Sequence, residues 1–243
     1  VDCFTTVSDV TAQECEELMD KKCNAVLPNG FEADFVPKAA EFKRKRKIAR
    51  DKIFQMANCL TGCEFSDDTL IIGTSGRYEF RNKGIDVFLE SLKQLATSNI
   101  DRDVLAVIAV PAGNLGARED LAQHLENKES AIDPAQKRWL THNLESEAWD
   151  LVSQSIEGSI LSTSASRVKV LFVPTYLNGN DGIFNMPYYD VLAGVDLTVF
   201  ASYYEPWGYT PLESVAYGVP TATTTLAGFG PWVANHPTRA GVD

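Results

Sequence analysis

Two stretches of the chain concentrate residue types that could do chemistry. The first is Gly73-Thr74-Ser75-Gly76-Arg77-Tyr78-Glu79-Phe80-Arg81-Asn82-Lys83-Gly84, with three glycines and three cations. Glycines let a backbone approach a ligand closely, and successive N–H groups in such a turn make a concavity for anions. Arg grips phosphate oxygens with a planar fork, whereas Lys adds a compact point charge. The spacing matches neither a P-loop nor a dinucleotide fingerprint, so this segment by itself fits a diphosphate site or a solvated turn. The second stretch is Ser202-Tyr203-Tyr204-Glu205-Pro206-Trp207-Gly208-Tyr209-Thr210-Pro211-Leu212-Glu213-Ser214, with four aromatics and the carboxylates Glu205 and Glu213. Thr210 reads as a helix N-cap, Pro211 as the first helical residue and Gly218 as the terminator. A helix that starts there offers free N–H groups to an anion. Glu213 then has two readings: a capping box with Thr210, contributing about 1 kcal/mol, or an acceptor for ribose hydroxyls.

Both stretches need a scaffold, and the pattern around them supplies one. Apolar runs at Thr69–Thr74, Val104–Val110, Val168–Val173, Leu197–Phe200 and Thr221–Thr224 alternate with helical patterns, which predicts an α/β fold with a parallel sheet. The runs are near-continuous, so both faces of the sheet must be covered. Ligands of such sheets bind beyond the carboxyl ends of the strands, where both constellations begin. Upstream, Phe4–Val7 reads as a short strand, and Thr11 with Glu14 predicts a capping box opening a helix to about Lys22. Val26–Gly30 and Pro37 suit a connection between two bodies, and a second helix is expected from Lys38 to Leu60. That helix carries Lys43, Arg44, Lys45, Arg46, Lys47, Arg50 and Lys52, either a solvated face or a ligand site. Residues Glu119–Ser166 are too long for an ordinary crossover. Within them, Pro134–Ile156 predicts one long helix or a helical pair, with Trp139, Leu140, Leu144, Trp149 and Val152 as an apolar stripe that covers the sheet or contacts another subunit.

The chain has 243 residues, enough for one large domain or two modest ones. It is 44% hydrophobic and 23% charged, and no apolar run approaches the ~20 residues of a membrane span. A net charge of −11 disfavours nucleic acid and anionic membranes as partners. The five cysteines are odd in number and lack C-x-x-C spacing, so reduced thiols in a cytoplasmic protein are expected, with no metal site. Val1 follows no initiator methionine or leader pattern, which reads as truncation.

The motifs resemble the glycogen synthases, specifically the UDP-glucose type of animals and fungi and its bacterial relatives. Phe4–Asp9 and Asn24–Gly30 are similar to that family's passage between domains, Gly76–Gly84 to its phosphate-binding segment, and Tyr203–Pro211 to its E-x7-E signature. The resemblance implies a GT-B architecture of two Rossmann-like domains. Residues 1–30 would end the N-terminal domain and connect the two. Residues 31–243 would be the nucleotide-sugar-binding domain, incomplete at its C-terminus, with a helical insertion at about 119–166. It implies transfer of glucose from UDP-glucose to an α-1,4-glucan such as glycogen, with retention and without metal or other cofactor. By position, Arg77 and Lys83 would hold the diphosphate and Tyr188 would stack on uracil, or else pack in the core. Glu213 would bind ribose and Glu205 would contact the glucosyl ring as the catalytic carboxylate. The backbone of Trp207, Gly208, Tyr209 and Thr210 would cradle sugar and phosphate. The glucan acceptor would be bound by an N-terminal domain absent from these residues, so the chain alone is expected to bind UDP weakly and transfer no glucose. A related transferase using ADP-glucose, and a noncatalytic module that self-associates through 119–166, are the alternatives.

Overall fold

A computed structural model describes residues 2–127 and 137–236. Its first part contains β1 (Thr5–Thr6), α1 (Asp9–Met19), β2 (Ala25–Val26) and α2 (Ala39–Thr61). There follow β3 (Leu70–Ser75), α3 (Ile85–Thr97), β4 (Val104–Ala109), β5 (Asn114–Ala117) and α4 (Glu119–Asn127). The remainder holds β6 (His142–Leu144), α5 (Leu151–Ile156), β7 (Val168–Val173), α6 (Tyr188–Leu192), β8 (Leu197–Phe200), α7 (Tyr209–Ala216), β9 (Thr221–Thr223) and α8 (Phe229–Asn235).

The expected apolar runs form a five-stranded sheet in the order β7-β4-β3-β8-β9, parallel throughout. Successive side chains of a strand point to opposite faces, and here each face has its own core. Ile71, Leu105, Val107, Leu171 and Val173 pack with Ile53 and Leu60 of α2, Leu121 of α4 and Val191 of α6. Ile72, Ala106, Ile108, Val170 and Phe172 pack with Phe88 and Leu89 of α3 and Val152 and Ile156 of α5. This two-sided burial is why the strands carry no polar alternation. The result is a Rossmann-like α/β sheet. From β3 the chain builds outward through β4 and β7, then returns to place β8 on the other side of β3. The order therefore reverses between β3 and β8, the crevice where such sheets take ligands.

The basic run of α2 is not simply a solvated face. Arg50 is buried and donates to the carbonyl oxygens of Asp67, Thr69 and Gly194 and to Asp196. Arg46 pairs with the same Asp196, and Lys45 pairs with Asp190. Asp196 also accepts the Ile71 N–H at 2.8 Å. Burial pushes its carboxyl pKa up, but the Ile71 amide and the two arginines outweigh that and hold it below the usual range.

Three local expectations are corrected. The cap of α1 is Ser8, which exchanges bonds with Thr11, so the box lies one turn earlier than the Thr11/Glu14 pair. The long helix or helical pair expected over Pro134–Ile156 is not formed where the chain is described. Pro134, Ala135 and Gln136 lie outside the described residues; from 137 onward the chain makes β6, a 3-10 turn at Glu147–Trp149 and the short α5. Asp150 ends that turn and caps α5 through the Ser153 N–H, which starts a new helix rather than continuing one. Trp139, Leu140, Leu144 and Val152 still cover the sheet, whereas Trp149 is 81% exposed. The third correction concerns α7, at the site itself.

Candidate functional site

The segment after β3 and the segment after β8 are seated on each other at the carboxyl edge of the sheet. Gly84 lies in the left-handed region, with φ of 66°, and caps α3. A Cβ there would stand 1.9 Å from the carbonyl oxygen of Ala201, so only glycine fits. Beside it the Tyr203 N–H donates to the Asn82 carbonyl at 2.9 Å. This close approach brings the Lys83 ammonium onto the Glu205 carboxylate in an ion pair that is largely shielded from solvent. Arg77 stands further out, 74% exposed at its side chain, with Glu79 at 3.3 Å.

Gly208 has φ of 110° and is the cap of α7, displacing Thr210 from that role. A glycine that takes a positive φ lets the chain enter the helix earlier, at Tyr209, so Pro211 falls at the third helical position. Its missing N–H costs nothing within the first turn. Glu213 then sits too deep in the helix to reach back to a cap. Its carboxylate instead accepts a hydrogen bond from the Tyr189 hydroxyl at 3.0 Å, which removes the capping-box reading. Burial raises the Glu213 carboxyl pKa, with the Tyr189 bond opposing, and burial with the Glu213 charge pushes the Tyr189 phenol up to about 12. Tyr189 is fixed by stacking on Tyr217, ring centroids 5.1 Å apart.

A cleft of ≈ 500 Å³ opens between these groups and is lined in part by Ser75, Arg77, Tyr176, Tyr188 and Thr210. The structure thus brings Arg77, Tyr188 and Thr210 into one cleft and joins Lys83 to Glu205 directly. Tyr188 packs against the core of α2 and α6, as one of its readings expects, and also lines the cleft, its hydroxyl 2.8 Å from Ser75 Oγ. Burial raises its pKa. The Trp207 indole turns away and is buried edge-on against Phe229 and Trp232, so only its backbone faces the site loop. Tyr209 is exposed. Sequence reading missed Ser75 as a lining group, and Tyr176, 75% exposed in the same cleft. Tyr176 follows β7 at its carboxyl end, a position the strand-end rule could have flagged. Among the described residues, no cluster of three or more His, Cys, Asp or Glu could hold a metal ion.

A family model described as glycogen synthase matches residues 1–118 and 125–241. The chain belongs to the glycogen synthase family. It is 31% identical to glycogen [starch] synthase isoform 2 of Saccharomyces cerevisiae, over 96% of this chain and 42% of that protein. Likeness to the Neurospora crassa glycogen [starch] synthase is 32% over 94% and 41%, and to the Homo sapiens liver enzyme 29% over 98% and 42%. The chain therefore spans about two fifths of the length of these relatives. The yeast alignment runs over 298 positions against 243 residues here, so that glycogen synthase carries internal residues without a counterpart in this chain. The family match is itself interrupted at the start of α4. Among solved structures, the catalytic domain of starch synthase IV from Arabidopsis thaliana aligns at 16% identity and TM-score 0.49 over 93% of this chain and 40% of that one. WaaG, a glycosyltransferase of lipopolysaccharide biosynthesis, aligns at 16% and 0.48, covering 96% and 47%.

Proposed function

We propose that this chain supplies the donor-binding part of a retaining glucosyltransferase, the C-terminal half of a GT-B enzyme. It would move glucose from UDP-glucose to the end of an α-1,4-glucan in the cytoplasm, where five free thiols suit a reducing setting. The observation that carries the reading is the meeting of Lys83 with Glu205 at the β3/β8 switch point, beside Arg77 and the first turn of α7. Departure of UDP places negative charge on the β-phosphate while the sugar becomes cationic. Arg77, Lys83 and the unpaired N–H groups that open α7 stabilise the first charge, and Glu205 stabilises the second. Tyr188 and Tyr176 supply faces for the base, and Glu213, oriented by Tyr189, accepts from the ribose. No metal is required in this scheme, because fixed cations do its work at the phosphate. Self-association through 119–166 is a secondary element of the proposal, read directly by sedimentation velocity as a species heavier than the 26.7 kDa chain.

Calorimetric titration with UDP tests the donor reading. Arg77→Ala removes a charge-assisted contact worth about 1.5–3 kcal/mol, a loss of roughly 10- to 150-fold in affinity. Equal affinity in the two proteins removes Arg77 from the site. ADP titrated in parallel reads the base preference, and tighter binding of ADP overturns the uridine assignment.

A further inference from the structure

Asparagine is followed by glycine at Asn29-Gly30 and at Asn178-Gly179. The second pair stands in the loop after β7, where Asn178 lines the ≈ 500 Å³ cleft together with Arg77, Tyr176 and Tyr188. We propose that Asn178 is a self-modifying site: it loses its amide to become a carboxylate, and the new charge weakens the cleft for nucleoside diphosphates. The effect on the ligand rests on the donor reading above, whereas the modification itself does not.

The step needs an amide carbon that the next residue's backbone nitrogen can attack. Gly179, with φ of 92°, has no Cβ to obstruct the approach. Among the described residues, no hydrogen bond engages the Gly179 N–H or Asn178 Nδ2, so nucleophile and leaving group are both free. The carboxamide oxygen, by contrast, is held: it accepts from the Asn180 N–H at 2.9 Å. That donor steadies the side chain and stabilises the negative charge that develops on the oxygen during attack. Asn178 is exposed, so water and hydroxide reach it. The Gly179 nitrogen gives up its proton and bonds to Asn178 Cγ, the Cγ–Nδ2 bond breaks, and the amide leaves as ammonia with that proton. Water then opens the cyclic imide at either carbonyl. The products are aspartate or isoaspartate, whose main chain is one carbon longer.

The neighbouring Asp181-Gly182 pair is protected against the same ring closure. Its carboxylate accepts from the N–H groups of Ile183, Phe184 and Asn185, and the Gly182 N–H donates to Asn185 Oδ1 at 2.8 Å. Nucleophile and acceptor are both occupied there.

Charge gives the change at Asn178 its consequence. Among the described residues, the cleft lining holds the cation Arg77 and no Asp or Glu. An acid at 178 offsets that cation and repels a diphosphate.

Peptide mapping by mass spectrometry of the 243-residue chain, fresh and after warm storage, tests the modification, and calorimetric titration with UDP tests its effect. Acid is expected to accumulate at 178, faster at higher pH because the Gly179 nitrogen must be deprotonated. It does not form in Asn178→Gln, whose longer arm closes a ring far more slowly. UDP affinity falls at least about threefold in Asn178→Asp, and falls on storage in wild type but not in Asn178→Gln. An unshifted melting temperature shows that Asn178→Asp is folded, its carboxylate still accepting from Asn180. Acid at 178 no more abundant than at Asn180 or Asn185 overturns the proposal, and so does equal UDP affinity in Asn178→Asp and fresh wild type. Acid that accumulates at 178 in a chain unable to bind UDP when fresh overturns the donor reading while the modification stands.

Discussion

In the proposed donor site Lys83 would have two anions to serve: the carboxylate of Glu205, which it holds, and a diphosphate, which would have to draw it away. The two compete for one ammonium, so neutralising the carboxylate strengthens the phosphate site. Glu205→Gln is expected to tighten UDP binding a few-fold, on the scale of about 1 kcal/mol for a partly screened pair. Calorimetry decides it, and weaker binding in the variant means that Glu205 does not restrain Lys83. In a full-length relative, the matching substitution should cut turnover at least about 100-fold if the carboxylate faces the cationic sugar; near-normal turnover refutes that role. Glu213 behaves oppositely with pH. Its folded pKa is raised, so ionising it costs stability, and that cost grows as pH climbs from the unfolded value through the folded one. Glu213→Gln keeps an acceptor for Tyr189 and escapes the charge. Its urea midpoint is expected to gain on wild type between pH 4 and pH 7, and a constant gap across that range contradicts the assignment. Glycines, cations and carboxylates were visible in the sequence as chemistry. The partner of Glu213 was not, since Tyr189 reaches it from another helix.

At the scale of elements, α2 is tied to the amino end of the sheet by Arg46 and Arg50 acting on Asp196. Asp196→Ala leaves a buried guanidinium without its counter-charge and should cost about 3–5 kcal/mol in denaturant unfolding. A loss under 1 kcal/mol would show the pair to be incidental. Because the Asp196 pKa is depressed, its contribution is full above the unfolded carboxylate range and fades as pH falls through the folded value. The five strands of the parallel sheet were legible to within a residue or two because an apolar run of that length has one good solution when both faces are covered. The role of the basic run was hidden, since pairing with Asp190 and Asp196 spans more than half of the chain. The stretch after residue 137 was misread for a related reason. Its apolar residues satisfy helical spacing, but the Asp150 cap and the β5–β6 pairing divide it, and neither leaves a strong mark on periodicity. At α7 a single glycine torsion moved the helix start, which no pattern of polarity encodes.

For the molecule as a whole, stability is unevenly distributed. No residue of α1 is buried; the helix is held by the Ser8 cap and a 2.7 Å bond from Tyr204 to Glu14. Strand β4, by contrast, is flanked by β3 and β7 and covered on both faces. Amide hydrogen exchange is expected to be fastest in Asp9–Met19 and slowest in Val104–Ala109, and protection of α1 equal to that of β4 would show a tighter N-terminal attachment than its contacts provide. The contact of Gly84 with Ala201 has the widest reach. Gly84→Ala should cost about 3 kcal/mol or more, through left-handed torsion and collision with backbone. The same intimacy ties the arm bearing Arg77 and Lys83 to the arm bearing Glu205 as a pre-assembled jaw. Gripping and releasing a ligand then falls to side chains exchanging partners, and opening the scaffold becomes unnecessary.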